Sequence, residues 1–212
     1  MFASLLAASV LLSRRLFLTS AALPPVVATL DAEDGESTLV ASTEARRQLR
    51  YYGAIEAASL LQLNSLIDNM AAESNEPIHL HIQSGGGELL PALYTADLIA
   101  SSPAPVYTYV DGYAASAATL ITVSAARRFM TPHSVFMVHQ LSAAHSGKYD
   151  ELKQSMQNDE LLMEQLMQIY MQHSNIDAQT LRQLLATDKY LSATECLHHG
   201  FVDSITGHGE LQ

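Results

Sequence analysis

Apolar positions recur along the chain with two alternating periods. Leu60, Leu63, Leu66, Ile67 and Met70 fall three and four residues apart, the spacing of one helix face, and predict a helix over 55–70. Ile78-His79-Leu80-His81-Ile82 alternates apolar with polar and predicts a strand. Ser84-Gly85-Gly86-Gly87 follows and marks a tight turn, because glycine reaches backbone conformations that side chains forbid. Residues 89–100 read as a second helix. Pro103 and Pro105 then interrupt the chain, and 106–110 reads as the next strand. Asp111-Gly112 is expected to turn, and the small-residue run 114–126 to form a closely packed helix. Short strands are expected at 128–130 and 135–138, around Pro132-His133. A long amphipathic helix is expected over 148–173, shorter ones over 178–186 and 194–199, and a closing strand over 201–205. Tyr51-Tyr52-Gly53 opens the structured part. Strands alternating with helices predict one α/β domain with a largely parallel sheet.

The pattern before residue 48 is different. Residues 1–12 are apolar and small, Ser13-Arg14-Arg15-Leu16-Phe17-Leu18 follows, and 19–29 is mildly apolar around Pro24-Pro25. Neither apolar stretch reaches the roughly 20 residues of a membrane-spanning helix. The arginine pair divides them and the proline pair would break a helix. Residues 1–30 are therefore expected to be a targeting presequence rather than a stable membrane anchor. The twin-arginine-like run favours delivery to an organelle, with a plastid ahead of a mitochondrial, exported or cytoplasmic destination. Residues 31–47, acidic and small, are expected to be a flexible lead-in, and 207–212 a short tail.

Charge and composition narrow the partners. The chain carries a net charge of −11, and the only charged side chains among the first thirty residues are Arg14 and Arg15. No basic stripe remains to follow a phosphate backbone, so nucleic acid is not an expected partner. Cys196 is the only cysteine. It can neither close an intrachain disulfide nor supply a multi-cysteine zinc site, and reads as a small apolar helix residue.

Candidate chemistry lies at three distant places. Ser116 ends Gly112-Tyr113-Ala114-Ala115-Ser116, where a strand gives way to a helix. A hydroxyl there can face a cleft beside unpaired backbone N–H groups suited to an oxyanion, although a serine at a helix start is often only a cap. His139 ends a buried strand and can accept the serine proton, or be a core histidine. Asp188, between two helices, can orient that histidine, or be a solvated loop acid. The N–H groups of the glycine turn, with that of Ala117, can form an oxyanion hole. The turn can also cradle a phosphate, but no Gly-Lys-Ser/Thr follows it.

Taken together, these motifs resemble the proteolytic subunit of the Clp protease family. The family's Ser-Pro-Gly-Gly turn is similar to Ser84-Gly85-Gly86-Gly87. Its Gly-x-Ala-Ala-Ser motif is matched by residues 112–116, and its apolar-x-His-Gln motif by Met137-Val138-His139-Gln140. Its Asp-x-Phe-apolar-Ser/Thr-Ala motif is similar to Asp188-Lys189-Tyr190-Leu191-Ser192-Ala193, and its closing Tyr-Gly-Leu-apolar-Asp to His199-Gly200-Phe201-Val202-Asp203. The chain order Ser, His, Asp differs from the orders of the chymotrypsin, subtilisin and α/β-hydrolase types. The resemblance covers 48–206. Gly85 stands where the family has proline, Ala117 where it has methionine, Leu141 where it has proline, and Ala143-Ala144-His145 where it is richer in glycine.

The resemblance implies a crotonase-like spiral of ββα units with a long handle helix. Leu161, Leu162, Met163, Leu166, Met167 and Tyr170 would give that helix its apolar surface. It implies a serine endopeptidase with Ser116 as nucleophile, His139 as base, Asp188 as orienting acid, and the Gly87 and Ala117 N–H groups as oxyanion hole. It further implies stacked heptameric rings of identical or related subunits and a partner AAA+ unfoldase that uses ATP and delivers unfolded proteins. The subunit itself would need no cofactor or metal. Alternatives are a non-catalytic ring subunit, a crotonase-like enzyme acting on coenzyme A thioesters, and a signal-peptide peptidase using a Ser-Lys pair, with distant Lys148 or Lys153 as base.

Overall fold

A computed structural model describes residues 38–41 and 47–207. The presequence assigned to 1–30 and most of the tail lie outside the described residues. Eight strands and six helices are described: β1 (Thr38–Ala41), β2 (Gln48–Tyr52), α1 (Ala57–Glu73), β3 (Ile78–Ser84), α2 (Leu89–Ser101), β4 (Val106–Ala115), α3 (Ala117–Val123), β5 (Arg127–Met130), β6 (Val135–Met137), α4 (Tyr149–His173), α5 (Ala178–Leu185), β7 (Leu191–Ser192), α6 (Ala193–His199) and β8 (Ser204–Ile205). The sheet runs β1-β2-β3-β4-β5-β8, and β6 joins β4 to β7. All pairings are parallel except β1 with β2 and β6 with β7. This is the α/β, crotonase-like architecture that the motifs implied.

The core follows from the two periodicities. Leu60, Leu63 and Ile67 of α1 are buried, as are Ile78, Leu80 and Ile82 of β3 and the whole of α3. Small residues in α3 allow it to lie close to α2 and β4. Arg47 fixes the entry to β2 by donating to the carbonyls of Met70, Ser74 and Pro77, which close α1 and the loop after it.

Several boundaries depart from expectation, each for a physical reason. Ile55 does not begin α1. It makes a parallel bridge with Gly87, and the helix starts two residues later. Asp111-Gly112 is not a turn: β4 runs through it. Gly112 adopts φ +88° and its N–H donates to Ser134 Oγ at 2.7 Å. There the strand changes partner, from β5 over Tyr107–Val110 to β6 over Tyr113–Ala115. Consequently α3 begins at Ala117, not at 114, and ends at Val123. The closing strand shrinks to Ser204–Ile205, because Phe201 is spent in packing, stacked 5.5 Å from Phe136. β1 falls within the stretch expected to be a lead-in, and pairs antiparallel with β2.

Candidate active site

The ladder that connects β4, β6 and β7 brings the three chemical residues together. β4 and β6 pair at Ala115↔Met137, and the next N–H, that of Ser116, donates to the Met137 carbonyl at 2.8 Å. On the other side, β6 and β7 are antiparallel with Phe136↔Leu191 in register. Continuing that register three residues reaches His139 on one strand and Asp188 on the other.

Ser116 occupies the junction between β4 and α3 with φ 56° and ψ −130°. Among the described residues it alone, apart from glycines, has positive φ. Such a conformation costs on the order of 1–3 kcal/mol and persists only where its surroundings impose it. Its Oγ lies 2.6 Å from His139 Nε2, a hydrogen bond rather than a mere approach. A lysine does not take this position; Lys148 stands at the N-cap of α4.

Asp188 is placed more loosely. Its Oδ1 is 3.8 Å from His139 Nδ1, and its side chain is 82 % exposed against 24 % for His139. That is ion-pair range without a hydrogen bond. The neighbouring chain is better held: Lys189 Nζ donates to Glu195 Oε1 at 2.8 Å, and the other Glu195 oxygen accepts from the Ser192 N–H and hydroxyl. These bonds hold the Glu195 carboxyl well below its usual range, at about 2.

The glycine turn closes the cleft from β3. Gly86 is buried, with φ +92°. A Cβ there would lie 2.5 Å from Ser116 Cβ, 2.7 Å from the Ala115 carbonyl oxygen and 3.1 Å from Ala117 N. Gly87 is fixed by the bridge to Ile55. The bridge uses the Gly86 carbonyl and the Glu88 N–H, leaving the Gly87 N–H out of the ladder. Ala117 is the first residue of α3, so its N–H has no carbonyl one turn back to bond. Gly87, Ser116, Ala117 and His139 line one cleft of about 330 Å³, together with Leu166 and Tyr170 of α4. Gly85 lies at its exposed rim, where a Cβ would meet only Tyr113, at 3.9 Å.

Sequence reasoning missed three contributors. Thr119 donates to the Ser116 carbonyl and meets the Tyr170 hydroxyl. A threonine three residues after a helix-opening serine was the available signal. Tyr170 was expected on the apolar surface of the handle; it is 1 % exposed, whereas Leu161 of the same helix is 55 % exposed. Gly86 lies hard against Ser116, a contact that the reading of the turn as a source of N–H groups did not include. Cys196 is buried and free, its thiol pushed up to about 12 by burial, as suits a packing residue. Among the described residues no group of histidines, cysteines and carboxylates is gathered to hold a metal ion, and no helix is long and apolar enough to cross a membrane.

A hydroxyl hydrogen-bonded to an imidazole, on a strained strand-to-helix turn beside unengaged backbone N–H groups, is equipment for acyl transfer. Comparison with known families agrees with that class: the Clp protease model matches residues 36–209. The chain belongs to the Clp protease family, and its function is that of a peptidase.

Proposed function

We propose that the chain is a serine endopeptidase in which Ser116, His139 and Asp188 form the catalytic set. The observation that carries this reading is the 2.6 Å contact between Ser116 Oγ and His139 Nε2 at a strained turn. Ser116 Oγ attacks the scissile carbonyl carbon while His139 Nε2 takes the hydroxyl proton. The resulting oxyanion accepts from the N–H groups of Gly87 and Ala117. His139 passes the proton to the leaving amine as the C–N bond breaks, which leaves an acyl-Ser116 ester. Water, deprotonated by the same imidazole, then releases the acid and restores the hydroxyl. Asp188 favours the imidazolium from across the 3.8 Å gap and orients it more firmly if its exposed loop moves inward.

Family membership supports the wider reading: subunits assembled in stacked heptameric rings, supplied with unfolded chains by an ATP-driven AAA+ unfoldase. The Ser116–His139 contact favours a working subunit over a non-catalytic one, which has no use for it. It likewise speaks against a coenzyme A thioester enzyme, which would need only the oxyanion donors. The test is peptide hydrolysis by Ser116→Ala. Loss of all turnover with an unchanged fold is expected; a fully active variant would reject the assignment.

A further inference from the structure

The carbonyl of the nucleophile is held as firmly as its hydroxyl. Ser116 O accepts from the Thr119 N–H at 2.9 Å and from Thr119 Oγ1 at 2.5 Å. Thr119 Oγ1 also lies 2.5 Å from the Tyr170 hydroxyl. A carbonyl can only accept, so the single threonine proton points to Ser116 and the Tyr170 O–H must donate to Thr119. Thr119 is fully buried and Tyr170 is 1 % exposed, so water does not compete for either bond. Burial also raises the Tyr170 hydroxyl above its ordinary range, which keeps it a donor.

The Ser116 carbonyl and the Ala117 N–H are two ends of one peptide unit. That unit is planar and trans, so its C=O and N–H point in opposite directions. Fixing the carbonyl toward Thr119 therefore fixes the N–H in the direction away from Thr119, out of the first turn of α3, and Ala117 is one of the residues that line the cleft. Donation into the carbonyl also polarises the unit and strengthens its N–H as a donor.

We propose that Tyr170, acting through Thr119, is a positioning residue that aims the Ala117 N–H at the oxyanion and couples helix α4 to the nucleophile turn. This role rests on the peptidase reading above. Tyr170 forms one wall of the cleft and reaches the reacting atoms only through this relay. The relay serves the transition state rather than the bound substrate, so its loss falls on kcat and leaves KM unchanged.

The test uses the full chain, with Tyr170→Phe, Thr119→Val and Thr119→Ser compared by fluorophosphonate labelling rate and by kcat and KM on a short peptide. Tyr170→Phe and Thr119→Val are expected to lose roughly tenfold or more in labelling rate and kcat, the scale of one buried hydrogen bond, with KM within about twofold. Thr119→Ser keeps the hydroxyl and is expected to stay within about threefold of the parent. Combining Tyr170→Phe with Thr119→Val should cost little more than Thr119→Val alone, because the two act in series. Should Tyr170→Phe not fold, the Thr119→Val and Thr119→Ser pair decides the matter. Parental labelling rates in the folded variants, or a Thr119→Ser defect equal to that of Thr119→Val, would overturn the proposal while leaving the peptidase reading intact. A parent chain that takes up no probe and cleaves no peptide would overturn both.

Discussion

Replacing Gly86 by alanine adds one methyl group directly against Ser116. Its Cβ would lie 2.5 Å from Ser116 Cβ and 2.7 Å from the Ala115 carbonyl. Carbon atoms pack at about 3.5–4.0 Å, so Ser116 would have to retreat by about 1 Å. Neither of these two neighbours is a flexible side-chain end: one is the Cβ of a residue already at positive φ, the other is backbone. Holding alanine at φ +92° costs a further ~1–2 kcal/mol, and overpacking typically adds ~1–3 kcal/mol. A displacement of about 1 Å at a nucleophile can lower turnover by ~100-fold. We therefore expect Gly86→Ala to lose about 100-fold in kcat on a short peptide, with a lowered melting temperature by circular dichroism. Gly85→Ala supplies the contrast. Its new Cβ would meet only Tyr113 at 3.9 Å, and Gly85 has no positive φ, so activity within about twofold of the parent is expected, with unchanged or slightly raised stability. A folded Gly86→Ala protein with parental turnover, or equal damage from both substitutions, would refute the reasoning.

Asp188→Asn should be far milder than loss of the base. An exposed carboxylate 3.8 Å from the imidazole contributes about 1 kcal/mol in water-like surroundings, so a five- to tenfold fall in kcat is expected, against ~1,000-fold or more for His139→Ala. A loss of ~10,000-fold for Asp188→Asn would mean that its loop closes to hydrogen-bonding distance in the working enzyme. Stability should fall on mild acidification. His79, His173 and His199 are all held below their ordinary range, first by burial. Their unfolded forms take protons more readily, so the stability they confer is present above roughly pH 6.5 and lost as pH drops through their lowered values. Urea midpoints at pH 8 and pH 5.5 would check this, and equal midpoints would contradict it. Glu195, held at about 2 from an ordinary 4.5, adds a separate loss between those values, visible as a shallower acid limb in Glu195→Gln.

Much of this molecule could be read from its residues, and what escaped did so for identifiable reasons. The long elements were legible because their apolar spacing is unambiguous: α4 spans Tyr149–His173 and β3 Ile78–Ser84, close to expectation. Gly112 misled because glycine in the left-handed region usually ends a strand. Here it lets one strand bend and exchange β5 for β6. β7 has only two residues, too few for any periodicity, yet its register against β6 delivers Asp188 toward His139. Tyr51 and Leu49 are buried on alternate positions of β2, but five residues beside an acidic lead-in gave too short a pattern to assign a strand. At the site, the residue types and their order were legible, and their meeting is visible in the 2.6 Å Ser116–His139 contact. The 3.8 Å gap to Asp188 and the Tyr170–Thr119 relay depend on packing between elements far apart in the chain, which no local pattern encodes.

The most direct measurement is mass-spectrometric mapping of a fluorophosphonate adduct on the intact chain, with and without His139→Ala. The account predicts one phosphonylated residue, Ser116, in the parent protein and at least a ~1,000-fold slower reaction once the imidazole is gone. Modification of a different serine, or unchanged labelling of Ser116 in His139→Ala, would contradict it.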